Sequence, residues 1–229
     1  MVALPVLDFI VKSSIHDYKV KFVEDVHNTL KNEIREGDVV IIDNKVKDLY
    51  PNLLENLNNI NIIGLAARED QKSYEGLIPV IQELINSGFR KNHRLIGIGG
   101  GIIQDITAFT ASIMYRGVSW LFFPTTLLSQ GDSCIGSKTS INFDKYKNQV
   151  GGFYPPNKIF ININFLDTLS KGDLQSGLGE MSHYFVVAGK TDFKGYKRDY
   201  EDALTNNDIL ANMISKSLKI KKGYIEIDE

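Results

Sequence analysis

The sequence predicts an α/β fold in which a mainly parallel sheet carries helices on both faces and is followed by the start of an all-helical domain. Three observations lead to this prediction. Short apolar runs alternate with helical patterns through the first part of the chain, as in sheets built from strand–helix–strand units. A glycine-rich turn follows one of these runs directly, and only helical patterns are found after about Lys171.

The predicted strands define the sheet. Tyr18 to Val23 alternates apolar and polar residues, which indicates a half-buried strand. Five further apolar runs follow at intervals that leave room for helices. The six predicted strands are Tyr18 to Val23, Val39 to Ile42, Ile60 to Leu65, Arg94 to Ile98, Trp120 to Phe123 and Lys158 to Ile161.

Helices are predicted between the strands and then alone. Ser73 to Asn86 has apolar residues at helical spacing, and Leu174 to Val187 and Asp208 to Tyr224 show the same pattern near the end of the chain. The segment from Gly189 to Asp202 is polar, and we expect it to be a loop. Two domains follow from this change: an α/β domain over residues 1–170 and an incomplete helical domain over residues 171–229.

Composition excludes several classes of protein. The 229 residues are 43% hydrophobic and 24% charged with a formal net charge of −2, which predicts a globular domain with a sizeable core. Lysine and arginine are spread along the chain, so no nucleic-acid partner is expected. No apolar run reaches the ~20 residues that a membrane span needs, and the first residues do not resemble a signal peptide. The single cysteine, Cys134, is expected to pack in the interior, and its isolation favours a cytoplasmic location.

The glycine-rich turn is the first candidate site. Leu95 to Ile98 leads directly into Gly99, Gly100 and Gly101, and a turn of this kind lets backbone N–H groups approach a phosphate at the start of the next helix. A second predicted strand ends at Pro124, followed by Thr125 and Thr126. Because ligands bind at the carboxyl ends of parallel strands, both features indicate one Rossmann-like site. Several polar residues then follow in a stretch that shows little strand or helix pattern. Together with the glycine turn they indicate an active site that binds phosphate: Asp132, Lys138, Lys147 and Asn148.

These motifs, in this order, resemble those of the 3-dehydroquinate synthase family. The resemblance rests on about eight segments and extends from about Asp43 to the end of the chain. The segments include GGGxxxD ending at Asp105, Arg116-Gly117, PTTLL at Pro124 to Leu128, DSxxGxKT at Asp132 to Thr139, Asn142, Lys147-Asn148, GxFYxP ending at Pro156, and Ser176 to Glu180.

The resemblance implies that NAD binds to the α/β domain. Several of the implied contacts also have ordinary structural explanations: Asp43 and Asn44 suit a turn, Asp105 suits the start of a helix, and a threonine after proline suits a helix cap. Glu69 and Lys72 match the family's GExxK segment, although this chain does not have the glycine that begins that segment. The implied cofactor-binding residues are Asp43, Asn44, Glu69, Lys72, Gly99, Gly100, Gly101, Asp105, Thr125, Thr126, Lys138, Lys147, Phe165 and Thr168.

The resemblance also implies a set of catalytic residues for a small sugar phosphate. Cations are needed to hold phosphate and carboxylate groups, and Asp132 would orient a substrate hydroxyl. The residue at Arg116 reaches the neighbouring subunit's site in the family, which implies a homodimer. The implied catalytic residues are Arg116, Asp132, Lys138, Asn148, His183 and Lys221.

Glu180 matches the first metal ligand of the family. The implied metal ion is zinc or cobalt. The family's two histidine ligands lie beyond the last residue given, and Lys221 and Asp228-Glu229 match the segment that leads to them. His16, His27, His93 and His183 are not placed to substitute. Low turnover is therefore expected of this polypeptide alone.

Two positions depart from the family pattern. His183 stands where a lysine is usual, and Ser137 replaces a glycine. Histidine is mostly uncharged at neutral pH, whereas lysine is a cation. The presence of His183 therefore leaves the identity of the substrate undecided. The implied function is NAD- and metal-dependent cyclisation of a seven-carbon sugar phosphate with loss of phosphate, as in the shikimate pathway. The alternatives are a related cyclase of a secondary or polysaccharide pathway and a non-catalytic NAD-binding module.

Overall fold

The computed structural model describes residues 7–57 and 60–228. Residues 1–6, Asn58, Asn59 and Glu229 lie outside the described residues, as do the parts of the signal-peptide and domain predictions that fall on them. The strands in this part are β1 (Phe9–Val11), β2 (Tyr18–Phe22), β3 (Val39–Asp43), β4 (Asn61–Leu65), β5 (Leu95–Gly99), β6 (Trp120–Pro124), β7 (Lys138–Phe143), β8 (Tyr146–Phe153) and β9 (Lys158–Ile161).

The helices alternate with the strands and then follow one another. They are α1 (Val26–Glu33), α2 (Asn44–Leu49), α3 (Tyr74–Asn86), α4 (Gly101–Ile113), α5 (Lys171–Ala188), α6 (Lys190–Ala203) and α7 (Asn207–Ile225). None of the helices in the described ranges is both long enough and apolar enough to cross a membrane.

The main sheet confirms the predicted fold class. Its strand order is β1-β2-β9-β6-β5-β3-β4, and every neighbouring pair is parallel except β1 with β2. All six predicted strands are present, with ends that differ by at most one residue from the prediction. Val39 and Ile41 belong to one apolar cluster and Val40 and Ile42 to another, so the central strand is covered on both faces.

The predicted loop from Gly189 to Asp202 is wrong, because helix α6 occupies it. Three aromatic residues form the stripe that packs this helix: Phe193, Tyr196 and Tyr200. They are three and four residues apart, which is helical spacing. The many charges between them concealed the stripe, while Gly189, at φ 118°, accommodates the break between α5 and α6.

The segment carrying Lys138 and Asn148 is also more regular than predicted. It forms the antiparallel hairpin β7–β8, which lies apart from the main sheet and pairs Lys138 with Phe153. The buried residues Thr139 and Ile141 alternate with Lys138 and Ser140 along β7, so one side of the strand is left for polar groups.

Candidate functional site

A cleft of about 410 Å³ lies where β3, β5 and β6 end. We call it the strand-end cleft. It brings together segments that are far apart in the sequence, as expected at the carboxyl edge of a parallel sheet. Its lining includes Asp43, Lys45, Val46, Tyr50, Ala67, Gly100, Gly101, Ile102, Thr125, Thr126, Phe165, Thr168, Asp173 and Gly177.

The glycine turn forms the middle of the strand-end cleft. Gly100 caps the N-terminus of α4 without any side-chain hydrogen bond. A Cβ on Gly99 would come within 2.5 Å of Ile103 Cγ1, and a Cβ on Gly100 within 3.0 Å of Thr126 Cγ2. Glycine is therefore required here for close packing, and the helix terminus faces the cleft with an electrostatic preference for anions.

The wall opposite the turn contains Asp43 and Tyr50. Asp43 caps α2 by accepting a hydrogen bond from the Lys45 amide at 3.0 Å. The Tyr50 hydroxyl lies 3.2 Å from the Phe165 carbonyl oxygen and 3.1 Å from Thr168 Oγ1, and its ring meets Phe165 edge to face at 5.1 Å. Tyr50 thus ties the α2 segment to the segment after β9. Tyr50 was not predicted from the sequence. The one signal for it is its position directly after α2, the short helix that Asp43 caps.

Thr125 and Thr126 occupy the third side. The Thr125 amide donates to the Gly99 carbonyl at 3.0 Å, which holds the two strand ends together. Thr126 Oγ1 accepts from the Ser129 amide at 3.2 Å. Thr126 therefore performs the capping role expected of a threonine after proline while it also lines the strand-end cleft.

Asp132, Tyr184 and Lys221 form a second feature, the Asp132 cluster. Asp132 Oδ1 accepts hydrogen bonds from Tyr184 Oη at 2.5 Å and from Lys221 Nζ at 2.8 Å. Desolvation acts to raise the pKa of Asp132, but Lys221, the Tyr184 hydroxyl and the nearby His183 outweigh it and lower the pKa below its ordinary value. The carboxylate is therefore held ionised. Tyr184 was not predicted from the sequence.

Lys72, Asp105, Asn142, Asn148 and Glu69 form a third feature, the Lys72 cluster. Lys72 Nζ donates to Asp105 Oδ2 at 2.9 Å and to Asn148 Oδ1 at 2.6 Å. Burial raises the pKa of Asp105 despite this cation. The hydrogen bond from Asn142 Nδ2 to Glu69 Oε1, at 2.8 Å, contributes most to lowering the pKa of Glu69. Asn142 Oδ1 also accepts from the Asn148 backbone amide at 2.9 Å within the hairpin. The Asn142 backbone amide donates to the Lys72 carbonyl oxygen at 2.7 Å, which joins the hairpin to Lys72's segment.

Other predicted residues are exposed. Lys138 begins β7, and Lys147 reaches only within 3.9 Å of Glu69 with 70% of its side chain exposed. Asn44 lies beside Gly64, where a Cβ would come within 2.3 Å of Asn44 Oδ1, and it does not line the strand-end cleft. Arg116, at φ 62°, precedes the amino end of β6, whereas Thr126 follows the carboxyl end of the same strand. This position is compatible with the expectation that Arg116 serves a neighbouring subunit's site rather than that of its own chain.

Cys134 is buried, and desolvation raises the pKa of its thiol to about 12. A thiol of this kind is a poor nucleophile at neutral pH. This agrees with the expectation that Cys134 packs in the interior.

Glu180, the residue predicted to bind a metal ion, has an exposed side chain. Glu180 and His183 lie on α5, one turn apart and both exposed. Among residues 7–57 and 60–228, no group of three or more histidine, cysteine, aspartate or glutamate residues is arranged to hold a metal ion. The described residues do not complete a metal site.

Solved structures with the same fold include sugar-phosphate cyclases and a glycerol dehydrogenase. A 2-epi-5-epi-valiolone synthase from Streptomyces hygroscopicus, solved with NAD⁺ and Zn²⁺ bound, superposes with a TM-score of 0.79 at 22% identity, over 92% of this chain and 62% of that one. Glycerol dehydrogenase from Schizosaccharomyces pombe superposes with a TM-score of 0.62 at 20% identity, over 86% and 57%. These likenesses define a class of α/β fold.

The family is narrower than that class. Residues 62–176 match the N-terminal part of 3-dehydroquinate synthase, and these residues are half of the chain. The chain belongs to the 3-dehydroquinate synthase family, as its motifs predicted.

Curated relatives agree with this assignment. The 3-dehydroquinate synthase of Streptococcus equi is 35% identical over 226 residues, covering 96% of this chain and 62% of the relative. That of Dictyoglomus thermophilum is 37% identical over 183 residues, covering 80% and 51%. The chain thus spans between half and two thirds of the length of these relatives.

Proposed function

We propose that this protein binds NAD in the strand-end cleft and cyclises a seven-carbon sugar phosphate with elimination of phosphate, as a 3-dehydroquinate synthase does. Family membership supports the proposal. The observation that carries it is the position of the cleft: the start of α4 meets the ends of β3 and β6 around a gap without Cβ atoms at Gly100 and Gly101. A dinucleotide's pyrophosphate needs this combination of close backbone approach and a helix N-terminus.

The residues of the strand-end cleft fit the parts of NAD. Asp43 and Tyr50 would meet the adenosine end, and the amides after Gly100 would meet the pyrophosphate. Asp105 is four residues, about one helical turn, beyond Gly101 on α4, so the cofactor's other end would extend toward the Lys72 cluster. When bound, NAD supplies reversible hydride transfer at a substrate carbon.

The charged residues would bind and orient the substrate. Lys138, Lys147 and Asn148 lie on the hairpin β7–β8, where their side chains would hold the anionic and hydroxyl groups. Asp132, held ionised beside Lys221, would accept a hydrogen bond or proton from a substrate hydroxyl. His183 would add a hydrogen-bonding group next to Tyr184, whose ring centroid lies 3.8 Å away.

Glu180 would be one metal ligand, of zinc or cobalt. The other ligands of such a metal are not among the described residues, which hold no group of three or more histidine, cysteine, aspartate or glutamate side chains placed to bind it. We also propose the domain boundary at residue 170, a cytoplasmic location and a homodimer. The position of Arg116 supports the homodimer: Arg116 precedes the amino end of β6, and the strand-end cleft lies at the carboxyl end, so its exposed side chain would serve another subunit's site.

Two measurements on the purified protein test this proposal: calorimetric titration with NAD, and phosphate release from 3-dehydroquinate's seven-carbon precursor. We expect NAD to bind and phosphate release to depend on Asp132, so that Asp132→Asn abolishes any release. Absence of NAD binding would contradict the proposal. NAD binding with release from a different seven-carbon sugar phosphate would favour the related-cyclase function, for which His183 is the supporting observation. NAD binding with no release from any such substrate would favour the binding module.

A further inference from the structure

Three elements meet at the carboxylate of Asp132. Asp132 lies in a π-helical turn, Ser129–Ser133, while Tyr184 comes from α5 and Lys221 from α7. Both donors use the same oxygen, Oδ1, at 2.5 Å from Tyr184 Oη and 2.8 Å from Lys221 Nζ. Lys221 also donates to the Asp132 backbone carbonyl at 2.8 Å. Within the described residues, Oδ2 accepts no hydrogen bond.

We propose that Tyr184 is a positioning residue that fixes the Asp132 carboxylate through Oδ1 and so directs Oδ2 toward the substrate. A single lysine cannot do this, because an ammonium group on a flexible stem constrains the carboxylate's direction poorly. A second, rigid donor on a different helix fixes the rotation of the carboxylate plane. The role in catalysis rests on the proposed function, whereas the constraint on Asp132 does not.

The surroundings keep Tyr184 a donor. Desolvation, followed by the hydrogen bond to Asp132, raises the pKa of the Tyr184 phenol, so its proton stays in place at neutral pH. The charged and titratable groups that face the pair are Lys221 from α7, His183 and Glu180 from α5, and Cys134 from the π-helical segment's end. Lys221 Nζ also lies 6.0 Å from the centre of the Tyr184 ring.

Tyr196 provides a matched control on the neighbouring helix. Its hydroxyl donates to the Leu178 carbonyl oxygen at 2.7 Å, and its ring packs 4.9 Å from that of Phe185. Tyr196→Phe therefore removes one tyrosine hydroxyl hydrogen bond between α6 and α5, whereas Tyr184→Phe removes one between α5 and Asp132; Tyr196→Phe leaves Asp132 untouched. A purely structural contribution of a tyrosine hydroxyl would be similar in the two variants.

The test is a pH titration of the Asp132 side-chain carbon by ¹³C NMR in protein labelled at aspartate, with the signal assigned by Asp132→Asn. Loss of one donor to the ionised form should raise the Asp132 midpoint by about one pH unit in Tyr184→Phe. The parent and Tyr196→Phe should titrate together. An Asp132 midpoint unchanged in folded Tyr184→Phe would overturn the proposal.

Two further measurements secure the test. If Tyr184→Phe does not fold, 3-fluorotyrosine at position 184 replaces it; its more acidic hydroxyl should lower the Asp132 midpoint, and an unchanged midpoint overturns the proposal. In protein that turns over substrate, Tyr184→Phe should lower kcat about tenfold with KM and the Kd for NAD unchanged. Failure to bind NAD at all would contradict the proposed function without altering the Asp132 titration.

Discussion

The strand-end cleft lies at the start of α4, the Lys72 cluster includes Asp105 one turn further along that helix, and the two regions are built in different ways. The cleft is formed by strand ends, a helix N-terminus and glycines, with hydrogen bonds that are largely made by the backbone. The Lys72 cluster is formed by charged and amide side chains that satisfy one another: Lys72 with Asp105 and Asn148, and Glu69 with Asn142.

The difference indicates which region is ready for its ligand. Backbone groups at the end of a parallel sheet need no rearrangement, so the strand-end cleft is preorganised for a cofactor. In the Lys72 cluster, a ligand must compete with pairs that already exist. We therefore expect changes in the cleft to alter cofactor affinity, and changes in the cluster to alter stability as well.

The largest expected effect follows removal of Lys72. Only 7% of its side chain is exposed, and Lys72→Met would leave Asp105 buried without its cation. Breaking a buried pair in this way costs about 3–5 kcal/mol, which denaturant unfolding would detect. Lys147→Met is the control, because that side chain is 70% exposed and should change the free energy of unfolding by less than about 0.5 kcal/mol. If both variants lose the same free energy of unfolding, Lys72 contributes no more to stability than an exposed surface lysine does.

Gly101→Val should act on binding rather than on folding. A Cβ at Gly101 would come no closer than 3.9 Å to Ser133 Oγ, so the fold accommodates it, but the side chain enters the strand-end cleft. We expect NAD affinity by calorimetry to fall at least about tenfold, or ~1.4 kcal/mol. Gly195→Val on α6, where a Cβ meets nothing within 4 Å, should bind NAD like the parent. Parent-like affinity in Gly101→Val would place the pyrophosphate elsewhere.

Tyr50→Phe should have a smaller effect on the cleft. The variant loses the hydroxyl that links α2 to Phe165 and Thr168 but keeps the ring contact. A net loss of about 1 kcal/mol in the free energy of unfolding is typical of one hydrogen bond. Thermal unfolding in the presence and absence of NAD measures both effects, and NAD should stabilise the variant less than the parent. Equal stabilisation would show that Tyr50 does not help to form the NAD site.

The smallest expected effect concerns acid stability at Asp132. Its pKa is lower in the folded protein than in the unfolded chain, so its contribution to stability is present above the unfolded pKa of about 3.9 and is lost as the pH falls through the folded value. Asp132→Asn should therefore lose less stability than the parent over that window. Unfolding free energies measured from pH 6 down to pH 2 test this expectation. If the unfolding free energies of the parent and of Asp132→Asn fall in parallel with pH, Asp132 has the same pKa in the folded and unfolded states.

The fold was largely predictable because the relevant signals are local. Apolar runs such as Trp120 to Phe123 recur between turns, and each became a strand. The prediction failed at α6, where Lys194, Arg198 and other charges surround a narrow aromatic stripe. It also failed at the hairpin β7–β8, because pairing between strands depends on contacts that no single segment reveals.

The candidate site was predictable as a set of residues but not as an arrangement. The motifs identified Asp105, Asp132, Lys72 and Lys221, yet the sequence did not show that these form two ion pairs, Lys72 with Asp105 and Lys221 with Asp132. Tyr184 and Asn142 contact polar side chains of the two clusters, and although the motifs include Asn142, its contact with Glu69 was not predicted. Such contacts have no local signature, since the partners are 52 positions away for Tyr184 and 73 positions away for Asn142.

The most direct test of the account is a crystal structure of this chain with NAD. The pyrophosphate should lie against the amides at the start of α4, between Gly100 and Thr126, with the adenosine end beside Asp43 and Tyr50. The ion pair of Lys72 with Asp105 would lie at the other end of the cofactor. NAD bound away from the strand-end cleft, or a cleft left empty at saturating NAD, would contradict the account.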